Sequence, residues 1–75
     1  MVLVTHTDTF KYVIVTKSFP FRQGINTGIK WLTLVCPPDR NGDAIPERSV
    51  VSRNYFCEDE AYLGHLELYQ EWNLK

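Results

Sequence analysis

Residues 28–38 read Gly28-Ile29-Lys30-Trp31-Leu32-Thr33-Leu34-Val35-Cys36-Pro37-Pro38, and this stretch decides the fold. Its β-branched and aromatic content marks a strand. The two prolines end it, because proline donates nothing to a sheet ladder. A strand half-exposed to water alternates apolar with polar residues. This one does not: one parity carries Ile29, Trp31, Thr33 and Val35, the other Lys30, Leu32, Leu34 and Cys36.

The flanking runs behave alike. Upstream, residues 11–19 contain Tyr12-Val13-Ile14-Val15-Thr16, again apolar on both sides. Phe19-Pro20-Phe21-Arg22-Gln23-Gly24 follows, and Pro20 and Gly24 are expected to stop that strand. Downstream, residues 49–56 set Val51 and Tyr55 against Val50 and Phe56. Between them Asp39-Arg40-Asn41-Gly42-Asp43 is a turn signal, since Asn-Gly supplies positive φ angles. Residues 2–7 form a fourth strand beyond a Thr7-Asp8-Thr9 turn, or extend the first.

From Glu58 the period changes to that of a helix over 58–72. Tyr62, Leu66 and Tyr69 form one row with Leu63 beside it, and Ala61, His65, Leu68 and Trp72 form a second. Glu58, Asp59 and Glu60 meet the positive end of the helix dipole, and Asn73 is a stop. Gly64 inside the helix costs about 1 kcal/mol relative to alanine. The order implies an α+β fold: an antiparallel β-meander of three to four strands within 2–56, with one C-terminal helix packed on one face. One helix covers one face of such a sheet. The other must curl, pair with another copy or receive a partner.

These 75 residues, 44% hydrophobic and 23% charged, have a globular rather than a disordered balance, and a single domain over 1–75 is expected. Net charge is −1, too small for a long-range field toward nucleic acid or lipid. The charge is divided: residues 1–57 hold seven basic and four acidic residues, whereas 58–75 hold one basic and five acidic. No apolar run reaches the length of a membrane span. The start Met1-Val2-Leu3-Val4-Thr5-His6 has no basic segment of the secretory type, so a cytoplasmic chain with reduced thiols is expected. Two cysteines, Cys36 and Cys57, fall short of the disulfide frameworks of secreted mini-proteins, although one bridge between them is the alternative.

Signals for chemistry are weak. Cys36, Cys57, His6 and His65 have the ligand types of a zinc site but lack the close pairs that chelation by one turn requires. Asp39, Asn41 and Asp43 alternate as in a calcium loop, but Ala44 and Val50 stand where glycine and glutamate belong. No nucleophile elbow, phosphate loop or dinucleotide fingerprint occurs. The expectation is therefore a protein without metal, cofactor or catalytic residues.

Binding is the leading reading. Aromatics and arginine dominate hot spots, so Phe19, Phe21, Arg22 and Trp31 are the expected anchors, with Tyr69 and Trp72 next. The chain would be a protein-binding module that occludes a surface on a host macromolecule, or a homodimer that does so. Its small size and lack of motifs suit an inhibitor of the kind phages and mobile elements carry. A first alternative is a single-stranded nucleic-acid binder stacking bases on Tyr12, Trp31 and Tyr55, with Lys11, Lys17, Arg22, Lys30 and Arg53 on phosphates. A second is a nucleic-acid mimic using a stripe of Glu58, Asp59, Glu60, Glu67 and Glu71.

Overall fold

The two apolar runs on either side of Gly24 pair into one long hairpin, and the other elements attach to it. The computed structural model describes residues 2–74, residue 26 through its backbone alone. In chain order the elements are β1 (Val2–His6), β2 (Val13–Gln23), β3 (Asn26–Cys36), a 3-10 turn (Pro46–Arg48), β4 (Val51–Tyr55) and α1 (Glu58–Asn73). The strands form one antiparallel sheet in the order β1-β2-β3-β4. The architecture is the expected α+β meander with its C-terminal helix. Among the described residues no helix is long and apolar enough to cross a membrane.

Two differences from the sequence reading shape the hairpin. First, β2 runs through Pro20 to Gln23. Beyond Lys17, β1 no longer pairs with β2, and a missing N–H on that unpaired edge costs no ladder bond. Second, the reversal falls on Gly24-Ile25. Gly24 has φ +61°, the left-handed value that a type II′ hairpin turn places at its first central residue. The Asn41-Gly42 signal is a real turn, but it closes a local loop. Asp39 Oδ1 accepts the N–H groups of Asn41 and Asp43 at 2.8 and 2.9 Å.

Register assigns the faces. Ile14 lies opposite Val35, Thr16 opposite Thr33 and Ser18 opposite Trp31. Val51, Arg53 and Tyr55 continue the same rows. This is the face α1 covers: Ile14, Val35 and Leu68 are fully buried together, with Tyr12, Val51, Tyr69 and Trp72 packed around them. The opposite face carries Val13, Val15, Leu32, Leu34 and Cys36. Its β1 end is closed by the connection after β3, whose Gly42 carbonyl bonds to His6 Nε2. Val13 and Cys36 are fully buried there. Burial pushes the Cys36 thiol pKa up, and the nearby Glu47 carboxylate adds to that. Cys57 is exposed before α1, and both thiols are free.

The helix turns its second row inward. Ala61, Gly64, His65 and Leu68 are buried, whereas Tyr62, Leu63 and Leu66 are exposed. The reason is distance. A Cβ on Gly64 would lie 2.0 Å from the Tyr55 hydroxyl and 2.3 Å from its ring Cζ. Small residues at 61 and 64 let the helix backbone settle on Tyr55, which the bulkier row would prevent. His65 then reaches into the sheet. Its Nδ1 pairs with Thr16 Oγ1 at 2.7 Å and its Nε2 with Thr5 Oγ1 at 2.9 Å, and Thr16 pairs with Thr33 at 2.7 Å. At its C-terminal end α1 is clamped to the β1–β2 loop: the Asp8 N–H donates to Asn73 Oδ1, and Asn73 Nδ2 and the Tyr69 hydroxyl donate to the Asp8 carboxylate.

Two predictions follow from this seat. Gly64→Ala is expected to destabilise by about 1–3 kcal/mol through overpacking, despite alanine's better helix propensity. In a Tyr55→Ala background the same change is expected to stabilise, and urea unfolding of the four-member cycle reads both. The second concerns pH. Burial lowers the pKa of His65, so below about pH 6.5 the unfolded chain binds the proton more readily than the folded one. Stability is fully present above that value and falls as pH drops from it toward the lowered folded pKa. The unfolding temperature of the wild type should therefore fall more between pH 7.5 and 5.5 than that of His65→Gln.

Candidate functional site

The hairpin outgrows its support. β1 pairs with β2 as far as Lys17, and β4 pairs with β3 no further than Trp31. Residues 19–30 therefore project as a two-stranded arm, and the molecule measures 44 × 23 × 18 Å. An isolated hairpin is marginally stable in water, so the arm needs contacts of its own.

Those contacts are aromatic. Phe19 lies opposite Lys30 and Phe21 opposite Gly28, which places both phenylalanines on the face away from α1. The Phe21 ring lies over Gly28, where a Cβ would meet its Cε1 at 2.8 Å. Phe56, just beyond β4, sets its ring edge-on to Phe21 at 6.3 Å. Lys30 Nζ sits 5.2 Å from the Phe21 centroid and 5.3 Å from that of Phe56. Such cation–π contacts hold about 0.5–1 kcal/mol each where exposed.

The arm remains a surface. Phe19 and Phe21 are half-buried, Arg22 is exposed, and Phe56, Ile29 and Ile25 are 69%, 59% and 97% exposed. Its charge has one sign: residues 9–38 contain Lys11, Lys17, Arg22 and Lys30 but no aspartate or glutamate.

The other expected anchors lie elsewhere. Trp31 is 8% exposed on the helix-covered face, so it is part of the core rather than a contact. Its parity in β3 put it under α1. Tyr69 and Trp72 lie at the far end of the sheet, where Tyr69 bonds to Asp8 and Trp72 packs edge-on against Tyr12 at 4.8 Å. The structure thus brings Phe19, Phe21 and Arg22 onto one arm, with Arg22 on the opposite face from the two rings, and separates them from the other three. The aromatics of the nucleic-acid alternative are occupied too: Tyr12 by Trp72, Tyr55 by the helix at Gly64, and Trp31 by the core. The five helix carboxylates are all exposed. Helical spacing aligns Glu60, Glu67 and Glu71 on one flank and leaves Glu58 and Asp59 around the first turn, so the expected stripe is shorter than five. Ile25, Ile29, Lys30 and Phe56 were missed as arm residues. The available signal was Gly24-Ile25 between two β-rich runs, the spacing of a two-residue hairpin.

Comparison with protein-family models, with curated proteins and with solved structures found no match to this chain. The functional reading rests on its own geometry.

Truncating Trp31 and truncating Phe21 should have unequal consequences for folding. Trp31→Ala is expected to cost about 3–5 kcal/mol, the range for large buried aromatics. Phe21→Ala is expected to cost under about 1 kcal/mol of global stability while speeding amide exchange in residues 19–30. Urea titration and exchange measured on both variants check this.

Proposed function

We propose that the chain is a non-enzymatic protein-binding module that occludes a surface on a larger macromolecule through the β2–β3 arm. The observation that carries this reading is the projection of residues 19–30 beyond the sheet, with Ile25 and Ile29 exposed and with no acidic residue within the hairpin itself. Exposed apolar side chains beside the cations Arg22 and Lys30 favour a partner with an apolar centre and an acidic rim. A projecting hairpin reaches into a concavity that a flat sheet cannot enter. Phe21 and Phe56 are held by the Lys30 contact before binding, which reduces the entropy lost on docking. The cytoplasmic setting and the inhibitor role of a phage-type accessory protein belong to the same proposal.

The test is a comparative pulldown. Immobilised wild-type chain and a Phe19→Ser/Phe21→Ser variant of unchanged circular dichroism are exposed to lysate of the native host and read by quantitative mass spectrometry. The expected result is a protein retained by the wild type and depleted at least about tenfold by the variant, equivalent to about 1.4 kcal/mol. An identical retained set would remove the arm as the docking element. A fluorescent single-stranded oligonucleotide is titrated in parallel at low salt, where phosphate contacts are strongest. Oligonucleotide binding lost in the same variant would replace the protein partner with nucleic acid.

A further inference from the structure

We propose that the outer edge of β3 at the arm, residues 26–30, pairs with the same edge of a second copy of this chain to form a two-fold β-dimer. The inference names a partner for one side of the arm, and so rests on reading the arm as a contact element.

The backbone phase fixes which groups are on offer. In a two-residue hairpin the residues flanking the turn form a hydrogen-bonded pair. Positions 26, 28 and 30 therefore bond to β2, while Thr27 and Ile29 turn their N–H and C=O groups outward. The same alternation turns Val35 outward, and its carbonyl does accept the Val50 N–H at 2.8 Å on the β4 side. β4 covers this edge only from Trp31 to Val35. Among the described residues no strand lies beyond Thr27 and Ile29.

Two other edges near the arm are blunted, whereas the outer edge of β1 lies at the far side of the sheet. Pro20 stands directly across the arm from Ile29 and has no N–H to offer on its side. The outer edge of β4 presents Ser52, Arg53 and Asn54, all exposed. Proline and charge are the usual guards against strand addition. The β3 edge has neither: Lys30, the one charge in 26–30, is folded over the Phe21 and Phe56 rings.

The edge is also self-complementary. Outward-facing positions must meet outward-facing positions, and an antiparallel pairing centred on Thr27 does this while stopping short of Tyr55. In that register Ile29 of each copy lies across from Ile25 of the other, joining two of the most exposed apolar side chains of the arm. Lys30 meets Gly24, so no like charges oppose. Pairing an edge with its own copy closes the assembly as a two-fold dimer. A standard interface takes about 800 Å² per partner, about a seventh of this chain's 5224 Å² surface. A five-position edge falls below that, so the dimer is weak and forms at roughly 0.1–1 mM.

The test is sedimentation of the full chain from about 10 μM to about 1 mM, with amide exchange followed by NMR at both ends. The expected mass rises from 8.8 kDa toward twice that value. Exchange at Thr27 and Ile29 slows about fivefold or more, as new ladder bonds require. Ile29→Pro removes an outward N–H and leaves the ladder to β2 intact, so it should stay monomeric. A single 8.8 kDa species throughout overturns the proposal. So does a dimer that persists in folded Ile29→Pro, or one whose added protection falls on Val4 and His6 of β1. Should Ile29→Pro not fold, the wild-type exchange profile decides alone. A chain that stays monomeric yet captures a host protein through Phe19 and Phe21 loses this inference and keeps the docking function.

Discussion

The close seat of α1 on Tyr55 is the constraint from which the rest of the molecule follows. Gly64 removes the side chain that would hold the helix away, and the Tyr55 ring occupies the space. At that distance His65 reaches Thr5 and Thr16, and through Thr16 it is linked to Thr33, so one imidazole ties the helix to three strands. A buried polar group left unsatisfied costs about 1–3 kcal/mol, so these bonds specify one position of the helix as much as they hold it. The apolar cluster under the helix is compact: among the described residues it consists of Ile14, Val35 and Leu68, with Tyr12, Val51, Tyr69 and Trp72 partly buried around it. A domain of this size has little else to bury.

The same seat explains where the molecule is closed and where it is open. With the helix on the Trp31 face, the opposite face depends on the connection after β3, and Gly42 and His6 mark where that connection lies down. Its reach ends near β1. The far half of the hairpin lies beyond the helix, beyond β1 and beyond β4. It is kept in shape by the turn at Gly24 and by Lys30 between Phe21 and Phe56. These are surface interactions of modest strength, so the arm is ordered without being buried. That combination suits a contact element, since a partner meets rings already in place.

Charge follows the same division. The hairpin carries cations with no acid among residues 9–38, and α1 carries five carboxylates. The small net charge of −1 hides this separation. Local sign, rather than the total, selects a partner at short range, because screening removes exposed-charge interactions beyond about 8–10 Å at physiological salt.

The amino-acid order by itself determined the element types, the antiparallel meander and the excess of apolar strand surface, because these depend on local periodicity, on Gly and Pro placement and on β-branched content. It placed the α1 boundaries within a residue at each end, since the acidic first turn and the period change are local signals. It did not decide which parity of β3 lies under the helix. Both parities are apolar, and the choice between them belongs to Gly64 and Tyr55, residues that meet only after folding. For that reason Trp31 read as an anchor and proved to be core, and the row of Tyr62 and Leu66 read as equal to the row that is buried. Pro20 read as a stop because its neighbours in sequence say nothing of which edge of β2 lies unpaired. The arm itself is a tertiary fact: it exists because β1 and β4 are shorter than the hairpin they flank, and only register across strands sets that difference.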